Sequence, residues 1–264
     1  MTDKLSQIFE DKSKKLVTFV TGGDPDFTTS NQIISNMINN NIDILEIGMP
    51  FSDPMADGPT IQLSSNRALN NNINLDDIFK LAINAKVLNQ NLPVILMGYY
   101  NVILFYGVNK FVDNCVKNGV DGLIIVDLQP EEDDELIIEL KKNNIDLIRL
   151  ITPTTNEERL KLILKNASGF LYYVSVTGIT GQNSANISDL ETSLKFIKKF
   201  TKLPIIPGFG IKDEKDVTNI CKIADGAVVG SSIIKIIEEN LDDKPLMIKK
   251  ISDFTNKLKK GTEI

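Results

Sequence analysis

Short runs of β-branched and aliphatic residues recur along this chain, each separated from the next by a segment long enough for a helix. Eight runs are legible: Leu16–Thr21, Ile42–Gly48, Val94–Tyr99, Gly122–Val126, Leu147–Ile151, Phe170–Val176, Ile205–Pro207 and Gly226–Val229. Spread over 264 residues, they leave about 33 residues per unit, the length of a strand, a crossover helix and two connections. Near-continuous apolar strands alternating with helix-length polar stretches are the pattern of parallel strands buried on both faces. Eight such units predict an α/β fold closed as a (β/α)8 TIM barrel.

The intervening segments carry apolar residues at helical spacing. Ile78, Leu81, Ile83 and Val87 are expected to face the core, as are Leu136, Ile137 and Leu140 in the stretch that opens with Glu131 and Glu132. An extra helix is expected from Asp3 to Lys14, ahead of the first strand. The Asn-rich patches Asn70–Asn74 and Asn89–Asn91 read as loops. No linker rich in Pro or Ser divides the chain, so residues 1–264 are expected to form one barrel domain.

Composition narrows the chemistry. A chain of this size buries a large core unaided, so its two cysteines, Cys115 and Cys221, need not be a staple and are expected to be inert core thiols in a reducing cytoplasm. The 35 acidic and 29 basic side chains give a net charge of -6, which disfavours nucleic acid as a partner. No apolar run approaches the ~18 residues of a membrane span, and residues 1–10 lack the apolar stretch of a signal peptide. Histidine is absent altogether. That removes the usual metal ligand, the Ser/His and Cys/His pairs and the commonest neutral-pH base, so chemistry falls to carboxylates, Lys, Tyr or backbone dipoles.

In a barrel the active site lies at the C-terminal ends of the strands. Glu46 stands inside Ile-Leu-Glu-Ile-Gly, where alternation puts Leu45 and Ile47 on one face and Glu46 with Gly48 on the other, pointing into the barrel. A carboxyl in an apolar mouth has its pKa raised toward the range useful for proton transfer; the alternative is an acid bonded structurally to a neighbouring strand. The loop that follows, Pro50 to Pro59, is long for a βα connection. Its Asp53 and Asp57 fit Asp-Pro and Asp-Gly turn chemistry as well as a catalytic role. Glycines follow three late strands, in Thr177–Gly181, Gly208-Phe209-Gly210 and Gly230-Ser231-Ser232. There the backbone N–H groups can approach a phosphate, although three unrelated turns would also need glycine. The segment Thr177 to Ser188, poor in apolar residues, fits a lid over a site or an ordinary solvated loop.

Specific strings then carry a resemblance. The chain resembles the alpha subunits of tryptophan synthase in Glu46-Ile47-Gly48-Met49-Pro50-Phe51-Ser52-Asp53-Pro54 and Ala56-Asp57-Gly58-Pro59. Further matches are Phe19-Val20-Thr21 with Gly23-Asp24-Pro25, Tyr99-Tyr100-Asn101, Asp127-Leu128 before Pro130-Glu131-Glu132, Thr177–Gly181 and Gly208-Phe209-Gly210, so that coverage is effectively complete. Gln129, Val102 and Pro207 depart from the family pattern, the first two on loops that the family turns toward its partner.

The resemblance implies a lyase that cleaves indole-3-glycerol phosphate to indole and glyceraldehyde 3-phosphate by a retro-aldol reaction. It implies Glu46 and Asp57 as the two catalytic acids, Phe19, Tyr99, Ile124, Tyr172, Thr180 and Phe209 around the substrate, and Gly181, Gly210, Gly230 and Ser231 at its phosphate. It also implies an alpha-beta-beta-alpha complex, with Pro50, Asp53 and Asn101 at the interface, no cofactor in this chain, and pyridoxal phosphate in the beta subunit. Exposed Phe51, Met55 and Tyr100 near the mouth would suit such docking; the alternative is that these three side chains pack on the barrel's own helices. Two other readings are another phosphosugar barrel enzyme of aromatic amino-acid biosynthesis and a catalytically silent subunit that only activates its partner.

Overall fold

The computed structural model describes residues 4–174, 184–208 and 210–264. Each apolar run forms a strand because its side chains are buried on both faces, toward the barrel axis and toward the surrounding helices. In chain order the strands are β1 (Lys15–Thr21), β2 (Ile44–Gly48), β3 (Val94–Gly98), β4 (Gly122–Ile125), β5 (Asp146–Leu147), β6 (Arg149–Ile151), β7 (Leu171–Tyr173), β8 (Ile205–Pro207) and β9 (Gly226–Val229). All pairings are parallel, in two ladders ordered β5-β4-β3-β2-β1-β9 and β6-β7-β8. The fifth run is thus two short strands rather than one. Its break at Ile148, whose N–H donates to Leu123 O at 2.9 Å, is where the ring passes from one ladder to the other.

The second seam, between β8 and β9, is closed at its N-terminal rim by a reciprocal clamp. Asp225 N–H donates to Ile205 O at 3.1 Å, and the Asp225 carboxylate accepts from Ile205 N–H at 2.8 Å. The same device recurs around the rim. Asp43 clamps Leu16, Asp121 clamps Val94 and Ser168 clamps Leu147, each giving a backbone N–H and receiving one through its side chain. A polar residue just ahead of each following strand satisfies a strand N–H that the parallel ladder leaves over.

Inside the ring, Val17, Ile44, Ile95, Ile124, Ile206 and Val228 form a buried layer. Leu5 packs into it from below with Ile8 and Phe9 at its edge, so the N-terminal segment plugs the barrel floor. The helix expected over Asp3–Lys14 is much shorter: it spans Lys4–Gln7, and turns carry the chain to β1 through Lys12 at φ 57°. Outside the ring, the helix Leu75–Leu88 buries Leu75, Ile78, Phe79, Leu81, Ala82 and Ala85. Ile83 is only half-buried and Val87 is 79% exposed, whereas Lys86 is buried because its ammonium reaches Leu92 O and the Asp121 carboxylate. Leu136, Ile137 and Leu140 are buried as expected, on a helix that starts at Asp134 rather than at Glu131. The Asn-rich patch turns as expected, with Asn71 capping one helix, Asn72 at φ 58° and Asn74 closing a capping box on the next. Cys115 and Cys221 are free and buried, and burial raises both thiols above the usual range.

Candidate active site at the barrel mouth

Glu46 sits at the centre of β2 with Ile44 one step below it in the inner layer and Gly48 one step above. Strand alternation therefore aims its carboxyl into the barrel, as the sequence predicts. Its neighbours in register are Phe19 on β1 and Ile95 on β3. The side chain is 0% exposed, and neither carboxylate oxygen has a hydrogen-bond partner among the described residues. Burial, helped by the negative charge of nearby Asp57, pushes its pKa up to about 8. Neither oxygen bonds to β1 or β3, the strands on either side of it.

Asp57 lies on the loop between β2 and the helix Pro59–Asn70, and burial raises its pKa while a hydrogen bond from Tyr99 opposes the rise. Tyr99, at the end of β3, fastens that loop at two points. Its hydroxyl accepts from Ala56 N–H at 3.1 Å, and its ring packs on Phe51 with centroids 5.3 Å apart. The sequence marks Tyr99 only as a wall of the site; its service as the loop's anchor follows from tertiary contact alone. Phe19, Thr21, Met49, Asp57, Met97 and Tyr99 line a cleft at the mouth, with Glu46 buried two residues below Gly48.

Tyr172 on β7 stands close enough to both carboxyls for their charges, added to its burial, to hold its hydroxyl well above its ordinary pKa. Gly208 is what gives it room, since a Cβ there would lie 2.3 Å from the Tyr172 hydroxyl. Gly48 does the same for Phe19, where a Cβ would approach the ring to 2.7 Å. These glycines answer to aromatic side chains of the site, a reason the sequence alone does not disclose. Ile124 is fully buried in the inner layer, in register with Met97.

At the far side of the mouth Gly210 adopts φ 66°, a conformation favouring glycine. Gly230 is the N-cap of the helix Ser231–Glu238 and makes no side-chain cap bond. The Ser232 hydroxyl donates to Ile211 O at 2.6 Å, which brings the loop after β8 against the start of that helix. That bond sets the loop that carries Gly210 against the helix start formed by Gly230 and Ser231. Thr180, Gly181 and Phe209 lie outside the described residues, and so does most of the segment Thr177 to Ser188; its last residues, from Ser184, begin a helix rather than continue a loop.

Of the residues expected at an interface, Asp53 and Asn101 are exposed and Pro50 is buried. The apolar side chains expected on the surface divide. Met55 is 84% exposed, but Phe51 is half-buried against Tyr99 and Tyr100 is half-buried against the core. The sequence reading missed Phe105, 94% exposed on the helix Tyr100–Tyr106 that leaves the mouth after β3. Among the described residues no group of three or more His, Cys, Asp or Glu side chains could hold a metal ion, and no helix is long and apolar enough to cross a membrane.

A closed parallel barrel whose mouth sets a buried carboxylic acid beside a second carboxyl, with glycine backbone gathered at the ends of its last strands, belongs to the class of (β/α)8 acid–base enzymes. Comparison with known proteins narrows the class. The family model for the tryptophan synthase alpha chain matches residues 5–263. The tryptophan synthase alpha chain of Petrotoga mobilis (strain DSM 10674 / SJ95) is 44% identical over 256 residues, 97% of this chain and 98% of that one. The crystal structure of tryptophan synthase subunit alpha from Legionella pneumophila str. Paris is similar with a TM-score of 0.92 at 32% identity, over 100% of this chain and 99% of that one. A Mycobacterium tuberculosis tryptophan synthase structure in space group F222 gives 0.90 at 26%, over 100% of both chains. This chain belongs to the tryptophan synthase alpha chain family. It is a lyase of tryptophan biosynthesis that cleaves indole-3-glycerol phosphate.

Proposed function

We propose that Glu46 is the proton-transferring group of this cleavage and that Asp57 stabilises the positive charge that develops on the indole ring. The observation that carries the reading is the state of Glu46: fully buried, with both oxygens unpartnered among the described residues and a pKa of about 8, it holds a proton at neutral pH. Delivered to indole C3, that proton makes the ring cationic and leaves Glu46 as a carboxylate. The carboxylate then takes the hydroxyl proton from the adjacent glycerol carbon. Its O–H electrons become the aldehyde C=O, and the electrons of the breaking C–C bond return to the ring. Glu46 is protonated again at the end, so acid and base are one group. Asp57, held at the mouth by Tyr99, supplies negative charge where the cationic ring forms.

Phe19, Tyr99, Ile124 and Tyr172, with Thr180 and Phe209, are the proposed walls around indole. Gly181, Gly210, Gly230 and Ser231 are the proposed phosphate site, where N–H groups at the start of the helix Ser231–Glu238 meet the dianion. The steps move only protons and one C–C electron pair, so they call for no cofactor in this chain. The proposed partner is a beta subunit that carries pyridoxal phosphate and receives indole at the mouth, where Asp53, Asn101, Met55 and Phe105 are exposed. Two free buried thiols suit a reducing compartment such as the cytoplasm.

Indole release by Glu46→Gln and Asp57→Asn tests the roles. Each variant should turn over at least ~100-fold more slowly with glycerol 3-phosphate affinity nearly unchanged. Wild-type indole release from folded Glu46→Gln, or equal losses of turnover and phosphate affinity in Asp57→Asn, would overturn the assignment concerned.

A further inference from the structure

The helix Pro59–Asn70, which begins two residues after Asp57, is attached to the barrel in an unusual way. The residues it buries are Ser64, Ser65 and Ala68; Ile61 and Leu69 are half-buried and Leu63 faces solvent. The next helix, Leu75–Leu88, buries Leu75, Ile78, Phe79 and Leu81 instead. Hydrophobic burial therefore does little to seat Pro59–Asn70. Its N-cap, Gly58, makes no side-chain bond either.

Polar contacts take the place of that burial, and those of Ser64, Arg67 and Asn71 go to the segment at the mouth end of β1. The Ser64 hydroxyl donates to Thr21 Oγ1. Arg67 meets Asp24 with both arms of its guanidinium, Nε to Oδ1 at 2.7 Å and Nη2 to Oδ2 at 2.8 Å. Asn71, at the helix end, donates from Nδ2 to Pro25 O at 2.8 Å. Positions 64, 67 and 71 fall on one helical face, so a single edge of the helix is pinned along Thr21–Pro25. The Asp24 side chain has no exposed surface, and the two-point fork with Arg67 fixes angle as well as distance. Gln62, on the first turn, donates from Nε2 to Asp57 O at 2.8 Å and so links the helix to the loop.

We propose that the Arg67–Asp24 pair, supported by Ser64–Thr21, is the latch that positions Asp57 for the cleavage; this rests on the reading of Asp57 given above. The Asp57 loop has two fastenings. Tyr99 holds its front, and the helix behind it is held by the latch. Arg67 and Asp24 touch no reacting atom and act through the placement of the Asp57 carboxylate, so they are positioning residues.

Arg67→Met keeps the length of the side chain and removes the fork, while Asp24→Asn with Arg67→Met also removes the buried charge that Arg67→Met alone would strand. Both are to be compared with wild type and Arg67→Lys by amide hydrogen exchange, by indole release and by glycerol 3-phosphate binding. Exchange across residues 54–62 should rise ~10-fold or more while β2 stays protected. The kcat should fall at least ~10-fold with phosphate affinity within about twofold, and Arg67→Lys, with one ammonium in place of the fork, should fall between. Wild-type exchange over 54–62 in the folded double variant overturns the proposal. So does faster exchange with wild-type kcat, or a loss of phosphate affinity as large as the loss of kcat. If the wild-type chain itself releases no indole, the proposed function fails, and exchange alone decides whether the latch holds the loop.

Discussion

At the scale of single residues, Glu46 concentrates what is unusual about this molecule. A carboxyl at about 8 in the folded chain and at its ordinary 4.5 in the unfolded one holds a proton that unfolding releases. Folding stability contributed by this group is therefore fully present below about 4.5 and is lost as pH rises toward about 8. Thermal unfolding of wild type should show that decline, and Glu46→Gln, which cannot ionise, should be the more stable protein at pH 8 to 9 while matching wild type near pH 4. Parallel curves for the two proteins would contradict the buried neutral acid. Gly208 offers a second test. A methyl group at that position would meet the Tyr172 hydroxyl at 2.3 Å, so Gly208→Ala should cost about 1–3 kcal/mol in urea unfolding and slow cleavage through the displaced ring. The inward face of Glu46 was legible because Leu45 and Ile47 flank it and a strand alternates with period two. The purpose of Gly208 was not, because Tyr172 is 36 residues away in the chain and reaches it only through the β7–β8 pairing.

At the scale of elements, strands were more legible than helix faces. A run such as Val-Ile-Leu-Met-Gly is buried on both sides wherever it stands in a barrel, so its neighbours need not be known. A helix face depends on what packs against it. Ile83 and Val87 continue the apolar spacing of Ile78 and Leu81, yet Val87 projects to solvent and Lys86 is buried, because Asp121 and Leu92 O wait at the end of that helix. Asp121 also receives Val94 N–H at 2.9 Å, so it holds both the β3–β4 rim and a buried ammonium. Asp121→Ala should cost about 3 kcal/mol, read by urea denaturation, since it strands a buried charge. A loss below ~0.5 kcal/mol would show the rim clamp to be idle. The floor plug belongs to the same scale: Leu5 is buried as the apolar inner layer demands, but the helix around it stops at Gln7 because turns, with Lys12 in a left-handed conformation, must redirect the chain into β1.

At the scale of the whole molecule, the mouth is where the fold meets its surroundings. Met55, on the loop after β2, and Phe105, on the helix after β3, leave apolar side chains open to water, a placement that suits a docked chain. Phe105→Glu should weaken association with the proposed beta subunit ~10-fold or more, as followed by light scattering, while melting temperature and the lone chain's indole release stay near wild type. Unchanged association would move the interface elsewhere on the surface. Periodicity and spacing were enough for the eightfold repeat, for the parallel ring that follows from it and for the inward aim of Glu46, because these depend on residues close together in the chain. The raised pKa of Glu46, the hold of Tyr99 on the Asp57 loop, the polar seating of the helix Pro59–Asn70 and the exposure of Phe105 were decided only in three dimensions. Each arises from desolvation or contact between segments distant in sequence, and barrel closure is what brings those segments together.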